Sequence, residues 1–244
     1  MSPELIQFII NLIGLTIASY MDIKSREIED YVWYSMLIAS LPLLLYRFNF
    51  LIQNKLLSIL YILSLTAGIS ISLILYKFAF MGGADAKALI ILSINEIPSL
   101  GKDPFSLLPP LAIFVNSTLF SLSVIPLILL RNIAYLFTRG NIFRDFEKED
   151  IKRKILCFLT AYRVSYSTYL KKKYMYSLAE TRKNGERRLR IGVKLEENEE
   201  ELNDISLEEE VWVSPLLPLI VFIEIGYVVY FLWGNIIWFI LALF

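Results

Sequence analysis

The 244-residue sequence has no histidine and one cysteine, Cys157. Without histidine there is no Ser-His dyad or triad, no Cys-His pair and no His-Glu-x-x-His zinc site. With one cysteine there is no intrachain disulfide and no cysteine-built zinc site. Hydrolytic chemistry on this inventory falls to carboxylates or to a Ser-Lys arrangement, and no metal or cofactor is expected. Net charge is absent too, with 24 Lys and Arg against 24 Asp and Glu. The charges are segregated, most of them lying between Arg131 and Glu210.

What the chain has is apolar sequence: 56% of its residues are hydrophobic. Several runs approach or exceed the roughly 18 residues of a transmembrane segment. We read spans over residues 5–21, 31–48, 56–80, 86–96, 107–130 and 214–233. The fourth is short, broken at Glu96-Ile97-Pro98; for the sixth, Ser214 is a plausible N-cap with Pro215 at the first helical position. The first run has no basic flank before it and no small-residue cleavage site after it, so it reads as a retained span. The expected fold is mainly α: a polytopic membrane protein with about six transmembrane helices and a small α+β cytoplasmic domain before the last. This gives a membrane domain over 1–130, a polar domain over 131–210, and a last span with its tail over 211–244.

Lysine and arginine near span ends set orientation. One side carries Lys24, Arg26, Lys77, Lys87, Arg131 and Arg139, the other Arg47, Lys55 and Lys102. The first side is read as cytoplasmic, with the N-terminus outside. In the polar domain, residues 145–172 read as helical, with Tyr162, Tyr166 and Tyr169 at helical spacing. Alternation follows over Tyr174, Tyr176 and Leu178, then Asn184-Gly185 as a hairpin turn, then Leu189, Ile191, Val193 and Leu195. Residues 196–210 are strongly acidic, and read as a solvated surface or as a partner for the basic part.

Two acids stand where apolar runs end. Asp85 follows Gly82-Gly83-Ala84, between the third and fourth runs, and Asp22 follows the first. Gly82 and Gly83 can adopt backbone conformations closed to other residues and admit close approach. A charge at such a place is costly and is a functional candidate by default. The plainer reading of Asp85 is an N-cap for the next helix. Asp22 resists that explanation, since the C-terminal end of a helix disfavours negative charge. Asp30, before Tyr31, reads as the N-cap of the second span. Glu27 and Glu29 read as facing water, and Lys24, Arg26 and Lys87 as interfacial anchors that could also tune the acids. On the orientation above, Asp22 and Asp85 fall at the same, cytoplasmic end of their spans. Two nearby carboxylates cannot both ionise cheaply; sharing one proton, one activates water while the other protonates the carbonyl oxygen or leaving amine. Glu96 lies about 16 Å along a helix from Asp85, at ~1.5 Å per residue. Glu224, inside the sixth span, requires a polar neighbour, a hydroxyl or a water.

The stretch from Asp22-Ile23-Lys24-Ser25-Arg26-Glu27-Ile28, together with Gly82-Gly83-Ala84-Asp85, resembles the archaeal preflagellin and type IV prepilin peptidases, Gly-x-Gly-Asp intramembrane aspartic proteases. The likeness runs over nearly the whole chain, and the preflagellin branch is the closer match. It implies Asp22 and Asp85 as the catalytic dyad, and leader-bearing preflagellin or prepilin precursors as substrates, cut on the cytoplasmic side of the lipid bilayer. No nucleic-acid partner is expected, and the oligomeric state is open. Ala84 stands where the motif has its second glycine. Because alanine adopts positive φ only at a cost, that position is either helical or differs in geometry. With one cysteine the zinc-binding loop of the bacterial enzymes is missing, so the expected activity is cleavage without methylation. Two other classes compete: a proton-coupled transporter, since paired intramembrane acids also make proton relays, and a non-catalytic membrane scaffold for filament assembly. Against the transporter, the acids lie at span ends and no inverted repeat is visible.

Overall fold

A computed structural model describes residues 2–100, 103–183, 186–192 and 206–242. The chain divides into two units, one of Met1–Ser121 with Pro218–Phe244 and one of Leu122–Leu217.

The first unit contains α1 (Pro3–Ser25), α2 (Asp30–Gln53), α3 (Lys55–Lys77), α4 (Gly83–Asn95), α5 (Pro109–Ser121), α9 (Leu219–Trp233) and α10 (Ile236–Leu241). Local chemistry sets the starts. Ser2 Oγ accepts from the Leu5 N–H at 3.3 Å with Pro3 in the first turn, and Asn54 Oδ1 accepts from the Leu57 N–H at 3.2 Å. Polarity is turned inside out. Gln7, Asn11, Ser40, Ser64 and Asn95 are buried, while Ile13, Ile17, Ile38, Leu41 and Leu45 are exposed. That arrangement suits a lipid environment, where small and polar side chains join helices.

Among the described residues, four stretches are long and apolar enough to cross a membrane: Pro3–Ser25, Asp30–Gln53, Lys55–Lys77 and Pro109–Arg139. The last is interrupted by a turn at Leu122 and Ser123 before α6 (Val124–Arg139). Two of the six expected spans are shorter. α4 has 13 residues and stops where Glu96 turns extended ahead of Pro98. α9 has 15 residues and is N-capped by Pro218. Ser214 and Pro215, expected to open that helix, lie instead in strand β5 (Glu210–Pro215). The reason is local: Val211, Trp212 and Val213 are fully buried between two neighbouring strands, where β-branched and aromatic residues pack well. Close packing holds α9 on α5, where a Cβ on Gly226 would sit 2.8 Å from the Ile113 carbonyl oxygen.

The second unit contains α6, α7 (Ile151–Thr160), β1 (Tyr162–Ser165), α8 (Tyr166–Lys171), β2 (Tyr176–Leu178), β3 (Glu180–Lys183), β4 (Glu186–Leu189) and β5. β5 lies between β1 and β2, antiparallel to both, and β3 pairs with β4. The continuous helix expected over 145–172 is broken in two. Tyr162 belongs to β1, paired with Val213, and Ser165 restarts the helix by accepting from the Thr168 N–H at 3.3 Å. Tyr166 and Tyr169 then stack at 5.8 Å. Tyr174 falls in a single turn of 3-10 helix, so the expected alternation begins only at Tyr176. β3 and β4 are in register for a hairpin, with Lys183 opposite Glu186. Asn184 and Gly185, expected as its turn, with Val193, Leu195, residues 196–205 and Lys102, lie outside the described residues.

The charges of this unit pair extensively. Arg187 Nη2 donates to both carboxylate oxygens of Glu180 at 2.9 and 2.8 Å, and its Nη1 donates to Glu209 at 3.0 Å. Arg163 is buried and donates to Asp145 at 2.8 Å; Glu210 bonds Tyr135 and Arg139. Glu209 and Glu210, from the acidic stretch, are therefore partners of the basic part.

Candidate active site

Asp22 lies in the last turn of α1, 7% exposed. Arg26, four residues on, places Nη1 3.3 Å from Asp22 Oδ1 and caps the helix in the left-handed conformation at φ 61°, a position usually left to glycine. The Asp22 carboxylate also interacts with the backbone N–H of Ile220, in the first turn of α9. A negative charge disfavoured by its own helix end thus meets the favourable end of another.

Asp85 is the third residue of α4, not its N-cap. Gly82 is the N-cap, and its N–H donates to Asp85 Oδ2 at 2.9 Å. This is the reach-back half of a capping box. Gly82 sits at φ −73°, so its conformational freedom is not used; what matters is space, since a Cβ there would lie 3.0 Å from Asp85 Oδ2. Gly83 and Ala84 are the first two helical residues, so Ala84 needs no positive φ. The left-handed residue of this segment is Ala79, at φ 56°, just after α3.

α1 and α4 pack against each other, and Leu15, Ala18, Ala86, Ala88 and Leu89 share one core. Asp85 lies within electrostatic range of both Asp22 and Arg26. The structure therefore brings these three together. It puts other candidates elsewhere. Asp30 is the first residue of α2, with Glu29 as the N-cap, and its carboxylate takes Lys87 Nζ at 2.5 Å. Both side chains of that pair are about half exposed. Lys24 lies over the Tyr20 ring at 5.7 Å, and Glu27 and Glu29 are exposed.

A second polar cluster, which sequence reasoning did not assemble, ties the far parts of the same helices. Asn11 of α1 donates to Glu96 Oε1 and to the Tyr227 hydroxyl of α9, each at 3.0 Å. Tyr227 in turn donates to Glu96 at 2.6 Å, and Asn11 Oδ1 accepts from Asn95 at 2.7 Å and Gln7 at 3.3 Å. The available signal was three amides, Gln7, Asn11 and Asn95, inside apolar runs. Glu224 finds the hydroxyl it was expected to need: Thr16 Oγ1 lies 2.5 Å away.

Fold and site together define a polytopic membrane protein with two acids drawn near one end of its helices. Residues 9–125 match the model of the type IV leader peptidase family, and residues 153–236 match that of the Archaeal Peptidase A24 C-terminus Type II. The chain is 32% identical to the preflagellin peptidase of Methanococcus voltae, over 92% of this chain and 94% of that protein. It is 28% identical to the preflagellin peptidase of Methanocaldococcus jannaschii, over 95% of both chains. A third, from Methanococcus maripaludis, is 26% identical over 92% of this chain and 94% of its own length. The chain belongs to the type IV leader peptidase family, among the preflagellin peptidases, and is a membrane peptidase.

Proposed function

We propose that this protein is an aspartic endopeptidase that removes the short basic leader from preflagellin or type IV prepilin-like precursors. The observation that carries this reading is the convergence of Asp22 and Asp85 from packed helices, within electrostatic range of one another. The pair holds one proton between them. One carboxylate takes a proton from a water as it attacks the peptide carbonyl, while the other gives its proton to the carbonyl oxygen. The first then passes the water's proton to the leaving amine as the second recovers a proton from the collapsing gem-diol, which restores the shared proton. Gly82 leaves room for the Asp85 carboxylate to fold back onto its N–H, while Gly83 and Ala84 start the helix that presents it. Arg26 supplies a counter-charge at Asp22.

In this reading the dyad and the polar segment 131–210 lie at the cytoplasmic face, the N-terminus is outside, and α4 and α9 complete six spans. A basic leader approaching that face meets the exposed carboxylates of Glu27, Glu29 and Asp30. Lys24 and Lys87 anchor the boundary, with Lys87 holding Asp30.

The test is cleavage of a leader-bearing precursor by membranes carrying the protein. Wild type yields the shortened product, and Asp22→Asn or Asp85→Asn leaves the precursor intact while the protein stays in the membrane. Cleavage surviving both single substitutions would remove the dyad. Joint charge reversal of Glu27, Glu29 and Asp30 separately tests leader docking, which fails if processing is unchanged.

A further inference from the structure

At the end of the first unit away from Asp22 and Asp85 there is a cavity of about 590 Å³. It forms where α1 begins, α2 ends, α3 begins and the chain leaves α4, with Tyr46, Phe50, Leu57 and Ile97 on its walls. Its volume is in the range of small-molecule sites. Into this mostly apolar space comes one guanidinium. Arg47 is half-buried and forms no ion pair with an acid among the described residues. The one acid on the lining is Glu4, exposed in the first turn of α1 and not paired with Arg47. The Tyr61 and Tyr230 phenols lie within electrostatic range of Arg47.

A cation at the rim of an apolar cavity, with no acid paired to it among the described residues and beside interfacial aromatics, has one abundant partner at a membrane boundary. Guanidinium matches phosphate with two parallel hydrogen bonds. We propose that this cavity binds an anionic phospholipid, its phosphate on Arg47 and the start of its chains along Tyr46, Phe50 and Leu57. The bound lipid bridges the beginning of α1, the end of α2 and the segment after α4, on the helices that carry the dyad at their other ends. The site is independent of the peptidase assignment.

The experiment uses the full-length protein in detergent, with lipid occupancy read by native mass spectrometry after titration with phosphatidylglycerol. Wild type retains one phosphatidylglycerol under conditions that strip the remainder. Arg47→Gln lowers that occupancy about tenfold or more, as loss of hydrogen bonds to a charged group implies. Arg47→Lys recovers part of it, and Lys55→Gln, an exposed cation at the start of α3, retains it. Equal occupancy in wild type and Arg47→Gln, with both proteins showing the same helical content, overturns the proposal. So does displacement of the lipid by millimolar inorganic phosphate, which would make this a free-anion site, or equal retention of phosphatidylcholine.

Discussion

The Asp22 carboxylate, in the last turn of α1, meets the backbone N–H of Ile220 in the first turn of α9. α9 has no side-chain cap of its own, since its N-cap is Pro218. The acid therefore lies where a polar group facing the free N–H groups of α9 favours its first turn, from another helix. Asparagine keeps an oxygen acceptor facing that first turn, and leucine does not. Asp22→Asn is expected to keep the thermal stability of the detergent-solubilised protein, whereas Asp22→Leu loses about 1 kcal/mol, the usual worth of a cap. Both lose leader cleavage under the proposed mechanism. If Asn and Leu were equally destabilising, the capping account would be wrong.

Tyr227 tests the opposite end. Its hydroxyl accepts from Asn11 and donates to Glu96, so Tyr227→Phe strips one partner from buried Asn11 and one from half-buried Glu96. Hydrogen bonds between membrane helices are worth about 0.6 kcal/mol on average and ~1.7 at most. A loss near 1 kcal/mol in thermal unfolding is expected for Tyr227→Phe, and a smaller one for Glu96→Gln, which still accepts. A larger loss for Glu96→Gln would mean that its charge, not its acceptor, holds the cluster together.

These two sites mark what could be read from the residues and what could not. Asp22 stood out because a carboxylate after an apolar run opposes its own helix dipole, a conflict visible without coordinates. Its resolution came from Ile220, almost 200 positions away, and no local pattern reports such a neighbour. Asp85 and Asp30, expected as N-caps, lie three positions and one position inside their helices. Gly82 and Glu29 take the extended N-cap positions, which freed Asp85 to reach back and Asp30 to pair with Lys87. Ser214-Pro215 carried a helix-start signal that lost to the strand preference of Val211-Trp212-Val213, fixed by pairing with two distant strands. The long apolar helices were legible because lipid imposes length and composition together.

The sheet-bearing unit makes its own prediction at Arg187. Burial works against that guanidinium, but Glu180 offsets it through a two-pronged hydrogen bond and its charge, aided by the charges of Glu209 and Asp145, and its pKa is raised. Glu180 is itself buried and also accepts from the Trp212 N–H at 3.0 Å. Arg187→Met leaves that carboxylate buried without its cation, at a cost of about 3–5 kcal/mol. Adding Glu180→Gln removes the stranded charge while keeping an acceptor for Trp212. The double variant should therefore be more stable than Arg187→Met alone, measured by amide hydrogen exchange over residues 206–217. A double variant less stable than the single one would show that the pair is not electrostatically coupled.

Cys157, the one thiol in the chain, gives a pH-dependent reading of the same unit. It is 1% exposed on α7. Burial pushes its pKa up from 9.0 to about 12; the Glu180 charge adds to this and Arg163 opposes it. The folded thiol thus stays protonated where the unfolded thiol ionises. Between pH 9.0 and about 12 the unfolded chain binds fewer protons than the folded one, so this group's contribution to stability is present below pH 9.0 and is lost as pH rises through that window. Because the thiolate is the reactive form, a maleimide should label the native protein slowly at pH 8 and label it stoichiometrically once denatured. Arg187→Met, by loosening the unit, should speed native labelling. Rapid labelling of the native wild-type protein at pH 8 would contradict the buried placement of Cys157 and, with it, the packing of α7 against Trp212 and Ala179 that encloses it.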